Sequence, residues 1–358
     1  MVAPGGGKPM IFPRFASCRG VIHYAHRSDG TMAPGQSPKG AIYRAPTRFT
    51  WLLPITGIIL LLAAGGQWQP WQRLLGATLG LLYLLKGAVV IRFLRVQEQR
   101  LSVSGALLFF TLWPGMDPFP FEKRQRITTQ RPRSFWRFRD PTFLLPLLRG
   151  GWEGCGNQFI RGLRWLMAGF CLSITITMIA PFLPVWALGW LGITALLMTI
   201  HLGYANILTA VLRLCGWKVG LLFDEPFRSK SLTDFWSHRW NLAFVEMDRI
   251  LFLKPLIRWF GRTGAILGVF AISGLLHEMA VSYPVQAGWG GPLLYFTLQG
   301  LLVLFESKAL YFQQWPSVFR RIWTWLWIIT PLPLLFHVPF RNGLIVPLYQ
   351  NLNKLFLP

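Results

Sequence analysis

Acidic residues are scarce in this chain. Thirteen Asp and Glu stand against 36 Lys and Arg over 358 residues, a formal charge of +23. Charged residues of both signs make up only 14 % of the chain while apolar ones make up 53 %. That is too few to solvate a globule of this length, and it points to a membrane protein. Cysteine is equally sparse. Cys18, Cys155, Cys171 and Cys215 form no CxxC or Cys/His cluster, so neither a disulfide framework nor a metal site is indicated, and Cys171 and Cys215 read as apolar fillers. No internal repeat is present, whereas a transporter of inverted-repeat design would carry one. No apolar core follows a short basic start, so a cleaved signal peptide is not expected.

What the chain has in quantity is apolar runs long enough to span a bilayer, which takes roughly 20 residues. The expected spans are Phe49 to Gly66, Leu74 to Leu94, Arg164 to Leu183, Val185 to Leu212, Thr263 to Tyr283, a short Pro292 to Phe305, and Ile322 to Val338 broken by Pro331 and Pro333. Gly343 to Pro358 is either an eighth span or an interfacial helix. The expectation is an all-α polytopic bundle of about seven to eight transmembrane helices, with interfacial helices beside them. Residues 1 to 48, rich in Gly, Pro and Arg, read as a flexible basic tail preceding one domain from 49 to 358. Leu101 to Trp113 and Phe143 to Leu148 are short apolar patches of interfacial or re-entrant type. Lys and Arg gather in the tail and in the loops after the second, fourth and sixth spans. The positive-inside rule then puts the amino terminus and both long basic loops in the cytoplasm. The same placement suits anionic lipid better than nucleic acid, and no nucleic-acid partner is expected.

The sharpest local signal is His277-Glu278 in TGAILGVFAISGLLHEMAVSY, Thr263 to Tyr283, which carries no other formal charge. Charge in hydrocarbon costs at least a few kcal/mol per side chain, so such residues face a protein interior or a wet cavity and mark function. By helical rise His277 lies about 20 Å into its span. A second concentration is FDEPFRSKSLTDFWSHRWN, Phe223 to Asn241. Ser231 or Thr233 can cap a helix there. If the chain is helical from about Asp234, Trp236 and Trp240 share a face, Asp234 reaches His238, and Asn241 aligns with Asp234 two turns on. A tryptophan belt anchoring the chain at the interface is the competing reading.

SLTDFWSHRWN followed by SGLLHE resembles the paired signature of the membrane-bound O-acyltransferases, most closely the plant and bacterial wax synthase branch; WPGMDPFPF, Trp113 to Phe121, is similar to a loop of that branch. The resemblance covers roughly residues 50 to 340. It implies a helical fold around an internal tunnel, in which a fatty acyl group passes from acyl-CoA to a hydroxyl. It implies acyl-CoA and a lipid alcohol as substrates in contact with membrane lipid, with acyl-CoA as co-substrate and no cofactor. By position, His277 is the catalytic histidine and Asn241 its partner. One departure is His238-Arg239, where plant wax synthases commonly carry two Arg before the Trp; it bears on contacts near the acyl-CoA entrance.

The chemistry of the residues agrees with this. An alcohol needs a base to take its proton as it attacks a thioester, and a neutral imidazole is such a base. Glu278, the third catalytic candidate, can stabilise the imidazolium that forms, or it can serve another helix's polar group. Asn241 can hold the imidazole or donate to the oxyanion. Asp234, Trp236, His238, Arg239 and Trp240 are the substrate-binding candidates. Lys86, inside the second span, is expected to snorkel to the interface; reaching a carboxyl or the CoA phosphates is its alternative. His201 and Asn206 either line the tunnel or bond between helices. Arg228 and Lys230, with Arg239, are on the side where CoA phosphates arrive, but each is expected first as a lipid-facing or structural charge, with phosphate binding its alternative. His337 reads as interfacial. Asp224-Glu225-Pro226 reads as a turn, and Leu242 to Phe260 as an interfacial helix without catalytic groups. A wax ester is the expected product; diacylglycerol, a sterol or another hydroxylated lipid is the alternative acceptor, and a proton-relaying transporter or channel is the alternative of a different class.

Overall fold

The computed structural model describes residues 56–57, 65–97, 101–122, 152–309 and 312–356. The basic tail with Cys18, His23 and His26, nearly all of the first expected span, and the patch Phe143 to Leu148 lie outside the described residues. Among the described residues the chain is helical, and its one β feature is an isolated bridge between Leu101 and Glu122. It is an all-α polytopic membrane protein.

Its elements are α1 (Pro70–Gln97), α2 (Val103–Thr111), α3 (Trp152–Ile179), α4 (Val185–Leu214), α5 (Leu242–Leu251), α6 (Leu253–Val285), α7 (Gly291–Lys308), α8 (Ser317–Leu335) and α9 (Val338–Phe356). α4 is continuous but widens into a π-helix over Leu197–Tyr204, and α6 does the same over Glu278–Ser282. Among the described residues four helices, α1, α3, α4 and α6, are long and apolar enough to cross a membrane. The bent pair α8 and α9, joined at 68°, makes a fifth if taken as one span. The expected seven or eight include a first span that lies almost wholly outside the described residues. The expected sixth span forms α7 but is not among those helices; Gln299 and Glu306, both buried, dilute its apolar run. The seventh and eighth expected spans are the two arms of the bent pair, broken where Pro331, Pro333 and Pro339 cluster.

The outer faces carry the exposed apolar side chains that lipid requires, among them Leu75, Leu79 and Tyr83 on α1 and Met167, Phe170, Ile174 and Met178 on α3. Cys171 and Cys215, expected as packed fillers, are exposed on the helix surface instead. Inside, α3 packs along α4, and α6 packs along α7. The second of these contacts is very close: a Cβ at Gly274 would stand 2.8 Å from the Cα of Leu293. Glycine there lets the two backbones meet, as small residues do between membrane helices. Gly261, at φ 65°, kinks α6 between its first two turns and the apolar span beyond; the left-handed conformation favours glycine.

Lys86 does not snorkel. It is fully buried, its Nζ donates to the carbonyls of Phe109 and Trp113, and it lies 4.2 Å from the centre of the Phe109 ring. The carbonyls at the end of a helix have no partner within it, and a cation there satisfies them. From the other side, Glu246 on α5 accepts from the backbone N–H groups of Met116 and Asp117, both at 3.2 Å. The WPGMDPFPF loop is thus pinned between α1 and α5.

Candidate active site

The close approach at Gly274 sets the His277 ring against Phe296 of α7, with centroids 4.3 Å apart. One turn back, the carbonyl of Ser273 lies 2.7 Å from Nδ1 of His277. A carbonyl only accepts, so the neutral ring carries its proton on Nδ1 and leaves Nε2 as the basic lone pair. The π-turn that begins at Glu278 releases the chain from α-periodicity just after the histidine, a device frequent at functional sites.

His277 lines a cavity of about 130 Å³. α6 contributes Ile266, Val269, Phe270 and Ser273 to its wall, and Phe296 of α7 closes the far side. Trp236, Trp240 and Asn241 line it from the segment before α5, and Phe244, Val245, Asp248 and Arg249 line it from α5 itself. Apolar walls with a few polar groups converging on one titratable residue are the usual composition of a small-molecule site.

Asn241 reaches this wall by an unexpected path. The anticipated helix through Asp234 and Asn241 does not form. Ser231 caps a single turn, Leu232–Asp234, as expected of it, by accepting from the N–H of Asp234 at 2.9 Å. The chain then widens into a π-turn over Phe235–Arg239, Trp240 becomes extended, and Asn241 adopts φ 45°, ψ 57°. Asp234 and Asn241 are therefore not stacked two turns apart. Asparagine tolerates the left-handed region and favours helix N-caps. Here it does both: Oδ1 accepts from the N–H of Phe244 at 3.4 Å and starts α5. The carboxamide oxygen is thereby engaged, and the NH2 remains as the donor it can offer the cavity.

The aromatic residues of this segment split their surfaces between packing and lining. Trp236 donates Nε1–H to Gln299 at 3.1 Å. Trp240 stacks between Phe235 and the half-buried ring of His201, nearly parallel to both. His201 thus backs the cavity through Trp240 without being part of its lining, and Asn206 turns away to donate to Leu202 on its own helix.

Asp234, His238 and Arg239 do not line the cavity. Asp234 accepts from Nε of Arg239 at 2.8 Å and has His238 at 3.9 Å. Arg239 also donates to the carbonyls of Asp224 and Glu225. Glu225, at φ 44°, pairs with Arg161 and Arg228, so the Asp224-Glu225-Pro226 stretch is a turn tied by salt bridges. This charged clasp holds the segment that carries Trp236, Trp240 and Asn241.

Glu278 points elsewhere as well. Its Oε1 accepts from the N–H groups of Gly290 and Leu293 at 2.9 and 3.1 Å, holding the first turn of α7. Carboxylates are favoured at helix N-termini. Near it, His337 is buried rather than interfacial: Nδ1 accepts from Phe340 and starts α9, and Nε2 faces Ser282 Oγ at 3.2 Å. With Nδ1 accepting, this Ser and His cannot form a hydrolytic triad with Glu278, which would need an Nδ1–H to orient.

The stretch Leu242 to Phe260, expected to be an interfacial helix without functional groups, supplies one wall of the site. Asn241, Phe244, Val245 and Asp248 recur at helical spacing, the signal that marks a common face. Two carboxyls on α5 are strongly perturbed. Burial pushes Glu246 up to about 7, helped by the carboxylate of Asp117 and opposed by the two N–H groups it accepts and by Arg249. Burial raises Asp248 well above the usual carboxylate range, against a smaller pull from Arg249.

Fold and site together define a polytopic helical membrane protein with an imidazole set in an apolar, partly polar-lined cavity. Residues 219 to 298, which hold nearly every group just described, match the Membrane bound O-acyl transferase family. That stretch is similar to the family, and the relatives it resembles are on the wax synthase-like side. It is 28 % identical over 141 residues to the probable long-chain-alcohol O-fatty-acyltransferase 6 of Arabidopsis thaliana, covering 34 % of this chain and 39 % of the relative. It is 36 % identical over 73 residues to the long-chain-alcohol O-fatty-acyltransferase of Simmondsia chinensis, covering 18 % and 21 %. An acyl-CoA–sterol O-acyltransferase 1 of Arabidopsis thaliana is 34 % identical over 68 residues, covering 17 % and 20 %. The matched stretches span about two-fifths or less of these relatives' length.

Proposed function

We propose that this protein transfers a fatty acyl group from acyl-CoA to the hydroxyl of a lipid alcohol, with a long-chain fatty alcohol as acceptor and a wax ester as product. The observation that carries the reading is His277: its Nδ1–H is fixed on Ser273 and it lines an apolar cavity shared with Asn241. Nε2 takes the hydroxyl proton as the alcohol oxygen attacks the thioester carbonyl. The carboxamide NH2 of Asn241 donates to the oxyanion that develops. As the tetrahedral species collapses the C–S bond breaks, and the imidazolium returns its proton to the departing thiolate. No covalent acyl-enzyme is needed, because a CoA thiolate leaves readily.

Acyl-CoA approaches from the end where the basic segments lie, with Arg249, Lys254, Arg258 and Arg262 in sequence around the start of α6. In this reading that side and the amino terminus are cytoplasmic. The relatives named for long-chain alcohols favour a fatty alcohol as acceptor; the relative named for sterols supports a sterol as the second reading. The test is acyl transfer in membranes expressing the full chain, supplied with labelled acyl-CoA and, separately, a fatty alcohol, a sterol and diacylglycerol. Labelled wax ester as the main product is expected. Sterol ester as the main product replaces the first reading with the second, and no ester from any acceptor removes both.

A further inference from the structure

Among the described residues Asp248 is the one acid in the cavity wall, and the chemistry above gives it nothing to do. It is 6 % exposed, it faces the same cavity as His277 and Asn241, and its Oδ1 has no hydrogen-bond partner. A buried polar atom without a partner is costly, about 1 to 3 kcal/mol, and calls for an explanation. A ligand that brings the partner with it is one.

Position narrows the ligand. Asp248 and Arg249 line the cavity from α5, and Leu253 lines it from the start of α6. Asp248 is seven residues on from Asn241, about 10 Å along the axis of α5, and Asn241 shares the cavity with His277. The reacting carbonyl belongs at His277, and the phosphates of the acyl donor belong outside the hydrocarbon. What crosses the interval is the pantetheine arm, which joins sulfur to pyrophosphate through about a dozen bonds and extends to roughly 15 Å at ordinary bond lengths. Between two apolar sections it carries two amides, whose carbonyls need donors once they leave water. The acceptor alcohol has its one polar group at the reaction centre and nothing to offer Asp248.

We infer that Asp248 is a donor-specificity residue, its carboxyl giving a hydrogen bond to an amide carbonyl of the pantetheine arm of acyl-CoA. The inference rests on the acyltransferase reading for the identity of the ligand. It requires the protonated acid, and burial favours that form. A carboxylic acid held neutral can donate where a carboxylate can only accept.

The test uses the purified full chain, wild type, Asp248→Leu and Asp248→Asn, with a long-chain acyl-CoA thioether that cannot be cleaved. Asp248→Leu is expected to weaken thioether binding about tenfold while the ligand-free protein unfolds at the same or a higher temperature, because the orphan oxygen is gone. A residue that merely supported the fold would lower that temperature. Asp248→Asn keeps both shape and a donor, and is expected to bind within about threefold of wild type. In turnover, the preference for acyl-CoA over the S-ethyl thioester of the same acid, which lacks both amides, falls about tenfold in Asp248→Leu and stays near the wild-type ratio in Asp248→Asn. Wild-type binding of the thioether by Asp248→Leu, or an undiminished preference, overturns the inference. So does a folded Asp248→Asn protein that binds no better than Asp248→Leu. Binding of the thioether by a wild-type chain that transfers nothing refutes the acyltransferase reading and leaves the Asp248 comparison decisive. Failure of the wild type to bind it contradicts both.

Discussion

His277 and Glu278 adjoin in sequence yet belong to two regions built on opposite lines. The region around His277 has open space and free polar atoms: an imidazole with Nε2 available, an asparagine with its NH2 uncommitted, and an aspartic acid with an unpartnered oxygen. The region around Glu278 is closed. Its carboxylate clamps the start of α7, His337 caps α9 and meets Ser282, and Arg341 lies over the Trp190 ring at 4.6 Å. Adjacent helical positions point about 100° apart. A single turn of α6 can therefore serve chemistry on one face and architecture on the other. Charge at membrane depth marks both regions, and Glu278 Oε2 and Arg341 Nε on the closed side also have no hydrogen-bond partner; what separates the two is the cavity, which His277, Asn241 and Asp248 line and Glu278, His337 and Arg341 do not.

Substitutions on the closed side should act on stability. The larger effect belongs to Glu278→Leu, which removes the acceptor for two backbone N–H groups. A loss of about 2 to 3 kcal/mol is expected, read as a lower unfolding temperature of the detergent-purified chain. Glu278→Gln keeps a carbonyl oxygen in place and should lose little. If Glu278→Leu unfolded where the wild type does, the clamp would be idle and the contrast between the two faces would fail.

A smaller effect tests the pinning of the WPGMDPFPF loop by Glu246. Its folded pKa of about 7 stands above the ordinary glutamate value of 4.5. Between those values the folded state holds a proton that the unfolded state has released, so stability falls as pH rises. This contribution is complete below about 4.5 and is lost once pH passes about 7. Unfolding temperatures measured across that window should show a shallower decline for Glu246→Gln than for the wild type. Parallel curves would mean that the carboxyl titrates normally.

Much of the site was legible before any coordinates. Hydrocarbon tolerates so few ionisable residues that His277 marked itself, and the segment ending in Asn241 stood out for its density of aromatic and polar groups. The path between them was not legible. The π-turn over Phe235–Arg239 and the left-handed Asn241 are held by partners distant in sequence, Glu306 on Leu232 and Thr233 and Gln299 on Trp236, which local pattern does not reveal. Lys86 misled for a similar reason. A lysine with a long stem near an interface ordinarily reaches for water, and only the folded chain brings the carbonyls of Phe109 and Trp113 to it. Asp248 was hidden inside a helix whose alternation of apolar and charged residues reads equally well as an interfacial surface. Two of the expected spans take other forms: Gln299 and Glu306 interrupt α7, and prolines bend the last two apolar runs against each other.

The most direct measurement is acyl transfer by His277→Ala and Glu278→Gln in membranes carrying equal amounts of folded protein. If the open face does the chemistry, His277→Ala loses about a hundredfold or more of the wild-type rate, while Glu278→Gln stays within a few-fold of it. Wild-type transfer by His277→Ala, or an equal collapse of both variants, would contradict the account.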